Sequence, residues 1–282
     1  MSIEKVLCIS DLHCGSKFSI AKDGVELEEG RIYNATKFQR GLLKIFDSQL
    51  DQVFDKLKGK PFTLILNGDL VDGKHHNNPF VENLVTDQVK ILASVISKLT
   101  NRISDGQLQK TYIMQGTEAH AGLGNDIERG IAEKYGTELK VKANPTGSKT
   151  WQEMVLEFAN GATLHTTHHF NFTNIYEGTC YEREWKEIGI SYLRAGETPP
   201  DIYYRGHIHQ FGNPYILPSH PRTRIGCFST PGWQGKYQYV LRGMSRMKLT
   251  QYGMCLLEIE DGKVVLRDFI DTPAPLLDEV EK

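Results

Sequence analysis

Val6-Leu7-Cys8-Ile9 form a short unbroken apolar run that stops at Ser10-Asp11, the mark of a strand buried on both faces. Phe62-Thr63-Leu64-Ile65-Leu66 and Tyr112-Ile113-Met114 repeat the pattern, stopping at Asn67-Gly68-Asp69 and at Gly116. Between them Phe38, Leu42, Leu43, Phe46, Leu50, Val53, Phe54 and Leu57 recur at steps of three and four. Val81, Leu84, Val85, Val89, Leu92, Val95, Ile96 and Leu99 do the same. Both stretches predict amphipathic helices. Strands alternating with helices predict right-handed crossovers and a largely parallel inner sheet.

The second half reads differently. Met154–Phe158 and Ala162–Thr166 flank Asn160-Gly161, a strong hairpin signal. Further strands are expected at Ile202–Tyr204, Tyr215–Leu217, Arg224–Phe228, Gly253–Ile259 and Val264–Phe269, with Asp261-Gly262 marking a second hairpin. These predict a second sheet, mixed or antiparallel, packed on the first with helices outside. The fold class is therefore α/β (α+β). No repeat, low-complexity tract or linker interrupts the chain, so one domain over 1–282 is the simplest reading. Cys14–Arg31 and Gly73–Asn78 fit neither strand nor helix and follow acidic strand ends, where α/β folds carry binding loops.

Composition narrows the function classes. The chain has 282 residues, Lys+Arg 33 against Asp+Glu 35, and 39% hydrophobic residues. That excludes a disordered chain, a collagen-like repeat and a disulfide-dense miniprotein, and argues against a globally basic nucleic-acid binder. Five scattered cysteines suit a reducing compartment. The start MSIEKVLCIS has no signal-peptide pattern, and no run approaches the ~20 apolar residues of a membrane span. A soluble, cytoplasmic protein without a membrane partner is expected.

Residues with metal-ligand chemistry collect at the strand ends: Asp11-Leu12-His13, Gly68-Asp69-Leu70-Val71-Asp72, Gly116-Thr117-Glu118-Ala119-His120, the histidines 165, 168 and 169, and Gly206-His207-Ile208-His209. In a parallel sheet such ends lie side by side. Carboxylates with neutral imidazoles suit Mn²⁺, Fe²⁺ or Zn²⁺, and the absence of cysteine there disfavours a thiolate zinc site. Two ions need a bridging carboxylate, and Asp69 on its glycine-preceded turn is placed to serve. If Asp11-x-His13 and His207-x-His209 lie on extended segments, side chains two apart point the same way, so each pair can address one centre. Taken alone, any of these residues could be an ordinary turn or surface group; their joint order is what carries weight.

In that order the motifs SDLH, GDLVD, GTEAH, the histidine cluster and GHIH resemble the calcineurin-like metallophosphoesterase superfamily over roughly residues 5–210. The resemblance implies a four-layer sandwich of two packed mixed sheets flanked by helices, with insertions near 14–31 and 170–187. It implies two divalent ions, Mn²⁺ first and Fe²⁺ or Zn²⁺ as alternatives. Asp11, His13 and His209 would hold one, Asp69 would bridge, and His207 with His168 would hold the other. His168 is preferred to His165 and His169 because it stands at the strand exit. Asp72 would orient the loop, and Thr117 and His169 would support the site or touch substrate. The family's usual third motif is Gly-Asn-His; here Glu118 would replace the missing Asn as a ligand and His120 would protonate the leaving group. The implied reaction is phosphoester hydrolysis by a metal-bound hydroxide.

The substrate class is less defined. The SDLHCGS start is similar to the first motif of double-strand-break repair nucleases, which favours a phosphodiesterase or nuclease. Lys236, Arg242, Arg246 and Lys248, interleaved with Tyr237 and Tyr239, permit nucleic-acid contacts, although a solvated face would look the same. His75 and His76 read as loop residues, and Tyr181, Trp185 and Ile188 have the spacing of a packed helix. A phosphomonoesterase, or a metal-binding scaffold without hydrolysis, are the alternatives. A protein partner is not specified.

Overall fold

The structure is a computed structural model that describes residues 3–74, 82, 84–122, 126–169, 178–213, 221–223, 225–235 and 250–272. In chain order its elements are β1 (Lys5–Ile9), β2 (Val25–Glu26), β3 (Ile32–Tyr33), α1 (Lys37–Leu57), β4 (Phe62–Asn67), α2 (Val85–Thr100), β5 (Leu108–Met114), α3 (Glu118–Ala121), α4 (Asp126–Lys134), β6 (Thr150–Trp151), β7 (Glu153–Glu157), β8 (Thr163–Thr167), α5 (Thr179–Arg194), β9 (Ile202–Arg205), β10 (Cys227–Ser229), β11 (Tyr252–Glu260) and β12 (Lys263–Asp271). Val81, the expected strand at Tyr215–Leu217, His75, His76 and the Lys236–Lys248 segment lie outside the described residues.

The first sheet runs β12-β11-β1-β4-β5-β6. Strands β1, β4, β5 and β6 are parallel, as strand–helix alternation requires, while β11 pairs antiparallel with β1 and β12 antiparallel with β11. This corrects the expectation that the last hairpin belongs to the second sheet. The pairing decides it: Lys5 to Cys8 of β1 register with Glu258 to Cys255 of β11, whose residues Tyr252 to Glu258 are buried on both faces. The second sheet runs β10-β9-β8-β7, parallel except for the β7–β8 hairpin at Asn160-Gly161. Cys14–Arg31, read as irregular, leads into a two-stranded ribbon, β2 with β3.

Alternation along β1 divides the core. Leu7 and Ile9 face Leu42, Phe46, Leu50 and the buried side chains of α2. Val6 and Cys8 face the other way, into a core shared with Leu156, Leu164, Tyr204 and Phe228 of the second sheet. Helix α5 covers that sheet's far side through Tyr181, packed with Tyr203 and Cys227, with Trp185 and Ile188 at the margin. The order is helices, sheet, sheet, helix. Helix α1 starts where Thr36 and Gln39 form a reciprocal capping box, a T-x-x-Q pattern legible in the sequence. Among the described residues no helix is long and apolar enough to cross a membrane, and all five cysteines are free and buried.

Because Leu7 is fully buried between sheet and helices, Leu7→Ala is expected to cost about 2–5 kcal/mol, read as a lower midpoint in urea unfolding with an unchanged slope.

Candidate metal centre

The carboxyl ends of β1, β4, β5, β8 and β9 open onto one space. The chain leaves β1 and β4 together: Asp11 N–H donates to Gly68 O (3.1 Å), His13 N–H to Asp69 O (3.0 Å) and Cys14 N–H to Leu70 O (3.1 Å). The expected extended geometry does not hold. Asp11, His13, Asp69, His207 and His209 all adopt positive φ, at 54°, 45°, 50°, 70° and 50°. Left-handed residues cost on the order of 1–3 kcal/mol each and concentrate where surrounding structure imposes them. The strands end, and each ligand-type side chain turns back over the sheet edge. Gly68, at φ 74°, allows His168 to close in: a Cβ there would stand 2.5 Å from its Nδ1.

Among the described residues three sets of side chains each bring one ligand atom per residue within 4.8 Å of the rest: Asp11, His13 and His209; Asp69, His168 and His207; and His13, Asp72 and His120, which shares His13 with the first. Asp11 Oδ2 is held by the His207 N–H (3.0 Å) and the Ser10 hydroxyl. Its Oδ1 is buried with no hydrogen-bond partner. That oxygen faces His209 Nε2 at 3.2 Å, His13 Nε2 at 3.7 Å and His168 Nε2 at 3.9 Å. His13 and His209 bring their Nε2 atoms to 3.0 Å from each other. His168 Nε2, 3.1 Å from Asp69 Oδ2, likewise has no hydrogen-bond partner. Bare carboxylate oxygen and converging imidazole nitrogens are the donor set of a divalent cation site. The residues present fit two such ions.

The outer partners fix the tautomers. His13 Nδ1–H donates to Asp72 Oδ1 (3.2 Å), which also accepts from Gln234 Nε2 (2.8 Å). His168 Nδ1–H donates to Asn67 O (2.6 Å). Both leave Nε2 facing the centre.

Electrostatics follow the same pattern. Burial works against the Asp11 carboxylate, but His168 and His209 override it and hold the group well below its usual range. Burial opposes charging of His13, yet the Asp11 carboxylate beside it and the hydrogen bond to Asp72 push it up to about 10. His168 is likewise driven to about 10, against burial, by Asp69 and Asp11. Burial and then His168 lower His207. Without a metal, protons on His13 and His168 supply the positive charge that the carboxylates demand.

The third motif is arranged differently. Thr117 donates to Asp69 from N–H (2.7 Å) and stands with Oγ1 3.1 Å from each carboxylate oxygen. Glu118 is exposed and belongs to none of these groups. His120 is half-buried; its Nδ1–H donates to Asp72 O (2.7 Å) and its ring lies edge-on to His13 at 4.4 Å. Burial and the neighbouring His13 lower it to about 4. His169 sits at the exposed rim, 6.0 Å from the His207 ring. His165 is structural: Arg205 donates to its Nδ1 (3.0 Å) and its Nε2–H donates to Glu153 (2.5 Å).

Three supporting residues escaped the sequence reading. Trp233 N–H donates to Asp11 O (2.8 Å), and Gln234 holds Asp72; only the Gly-Trp-Gln-Gly run hints at a tight turn there. Glu128 of α4 is buried, and burial followed by Asp69 pushes its carboxyl up to about 8. Its setting in Asp-Ile-Glu-Arg reads as a polar helix surface, so no signal marked it.

No family model matches the chain, and no curated protein matches it. Among solved structures it is distantly similar to a single mutant of Vps29 from Entamoeba histolytica, with 11% identity, a TM-score of 0.40, and 94% of this chain and 97% of that one covered. Vps29 (Vacuolar Protein Sorting 29) from Cryptosporidium parvum gives 12%, 0.38, 97% and 100%. A 5'-nucleotidase from Candida albicans SC5314 gives 10% and 0.36, covering 92% of this chain and 48% of its own.

With His13 and His168 both driven to about 10, each is charged at pH 7 and must lose its proton to take a cation. Mn²⁺ binding should therefore release protons, and affinity should rise with pH until those groups are neutral. Calorimetry in buffers of different ionisation enthalpy reads this release directly; a binding heat independent of buffer would count against these two histidines as ligands.

Proposed function

We propose that the chain is a metal-dependent phosphoester hydrolase of the calcineurin-like metallophosphoesterase kind, acting on phosphodiesters, nucleic acid included. The observation that carries this reading is the adjacency of two carboxylate–imidazole groups joined through a bare Asp11 Oδ1, 3.9 Å from a bare His168 Nε2. Asp11, His13 and His209 would hold one ion; His168 and His207 the other; Asp69, between them, the bridge. Mn²⁺ is the first choice for this oxygen-and-imidazole set. When bound, the ions would supply Lewis acidity and an activated water.

The chain's own groups do the rest. Asp72 and Asn67 O keep the imidazoles turned inward. His207 and His169 stand at the rim, where the phosphoester's remaining oxygens would lie. His120 has its Nδ1–H committed to Asp72 O, so Nε2 is the atom that exchanges a proton with the leaving oxygen. Its ring is neutral in the free chain, and an anionic phosphoester beside it favours the charged, proton-donating form. Glu118, exposed beside the centre, has no part in this reading; Thr117 serves Asp69 instead.

The deciding experiment is Mn²⁺-dependent hydrolysis by stripped and reconstituted protein, comparing bis-p-nitrophenyl phosphate with p-nitrophenyl phosphate. Diester cleavage that requires Mn²⁺ and is lost in Asp11→Asn is expected. A monoester preference would move the assignment to a phosphatase, and metal binding without hydrolysis to a scaffold. Asp69→Asn should lower turnover by at least about 100-fold, the upper range for groups that only support a ligand; near wild-type turnover at saturating metal would sink the two-ion reading.

His120→Asn should slow esters with poor leaving groups far more than esters with good ones. Equal losses on both series would make His120 a positioning residue instead.

A further inference from the structure

We propose that Glu128 is a positioning residue for the Asp69 side of the centre: its buried carboxyl holds the Gly116 N–H and thereby sets Thr117 as the hydrogen-bond donor to Asp69. The inference rests on the phosphoesterase reading above only for its effect on turnover.

Glu128 is 1% exposed. Its Oε2 accepts from Gly116 N–H at 2.6 Å, while Oε1 is buried without a hydrogen-bond partner. A carboxyl buried with one bare oxygen costs free energy that an apolar residue would not. The other buried positions of α4, Ile131 and Ala132, are apolar. Packing alone therefore does not account for an acid at 128.

What it holds explains the choice. Gly116 passes between two carboxyl groups: a Cβ on it would run into Asp69 Oδ1 and stand 3.0 Å from Glu128 Oε1. The backbone is pinned on one side by Glu128 and on the other by Asp69, which receives the very next N–H, from Thr117, at 2.7 Å. Two successive amides thus point at two carboxyls. Releasing the first frees the turn to rotate and withdraws the donors that orient Asp69. The link runs from α4 through the backbone to the bridging carboxylate, without Glu128 touching a cation.

The test compares Glu128→Met, which fills similar space without an oxygen acceptor, with Glu128→Gln, which keeps a carbonyl at that reach. The readouts are the Mn²⁺ dissociation constant by calorimetry, the Gly116 amide proton shift by NMR in cation-free protein, and kcat and KM on the diester. Glu128→Met should weaken Mn²⁺ by about 10-fold or more, move the Gly116 amide upfield, and lower kcat more than it raises KM. Glu128→Gln should bring all three back towards wild type. Unchanged Mn²⁺ affinity in Glu128→Met, or Glu128→Gln as impaired as Glu128→Met, overturns the proposal. Should Glu128→Met not fold, the wild-type Gly116 amide decides instead: an upfield, rapidly exchanging proton there means that Glu128 does not hold it and overturns the proposal. Wild-type protein that binds Mn²⁺ but cleaves no ester would refute the phosphoesterase reading, while the affinity and amide shift would still judge Glu128.

Discussion

Asp11 ties separate parts of the chain together before it offers anything to a ligand. Its N–H reaches the β4 loop at Gly68, its carbonyl takes the Trp233 N–H, and one carboxylate oxygen takes the His207 N–H. Each bond is to a different segment, so the positions of the β4 turn, the Gly206–His209 turn and the 229–235 segment are mutually dependent. The remaining oxygen is left bare and surrounded by imidazole. A residue with three of its four polar groups, two of the backbone and one of the side chain, spent on architecture has one orientation left. That orientation defines the centre. The left-handed backbone at His13, Asp69, His207 and His209 is tolerable because these cross-links over-determine it.

The same crowding sets the electrostatics. Asp11 and Asp69 are buried within reach of several imidazoles. Burial by itself would neutralise the acids and the histidines alike. Instead the two signs stabilise each other, which requires positive charge at the centre whatever supplies it. Protons on His13 and His168 do so in the free chain, and a divalent ion would concentrate the same charge in less space. Burial first, and then the charged His13 and His168 beside them, displaces His120 and His207 towards neutrality.

Much of this was legible in the residues. Strands β1, β4 and β5 were visible as apolar runs because strands buried on both faces need no alternation. The hairpins were visible because Asn-Gly and Asp-Gly favour their turns. His168 was separable from His165 because one follows β8 and the other lies within it, where Arg205 and Glu153 occupy both its ring nitrogens. The placement of β11 was not legible: its burial pattern fits either sheet, and only pairing with β1 decides. Nor was the left-handed geometry of Asp-x-His and His-x-His, since alternation in sequence looks the same whether the chain is extended or coiled. Glu128 was hidden for a related reason. A helix position reads as polar surface unless the loop that will cover it is known.

The orientation of the imidazoles shows why motifs alone under-describe such a site. Three histidines, 13, 120 and 168, give their Nδ1–H to acceptors outside the centre and keep Nε2 for it. Two of those acceptors are backbone carbonyls, of Asn67 and Asp72. A carbonyl has no side-chain signature, so any residue could stand at 67 with the same bond. What must be preserved there is the path of the chain, which β4, Gly68 and the Asp11 cross-link impose. The chemistry of the imidazoles is therefore written partly in residue identity and partly in backbone trajectory, and the second part depends on the packing of both sheets.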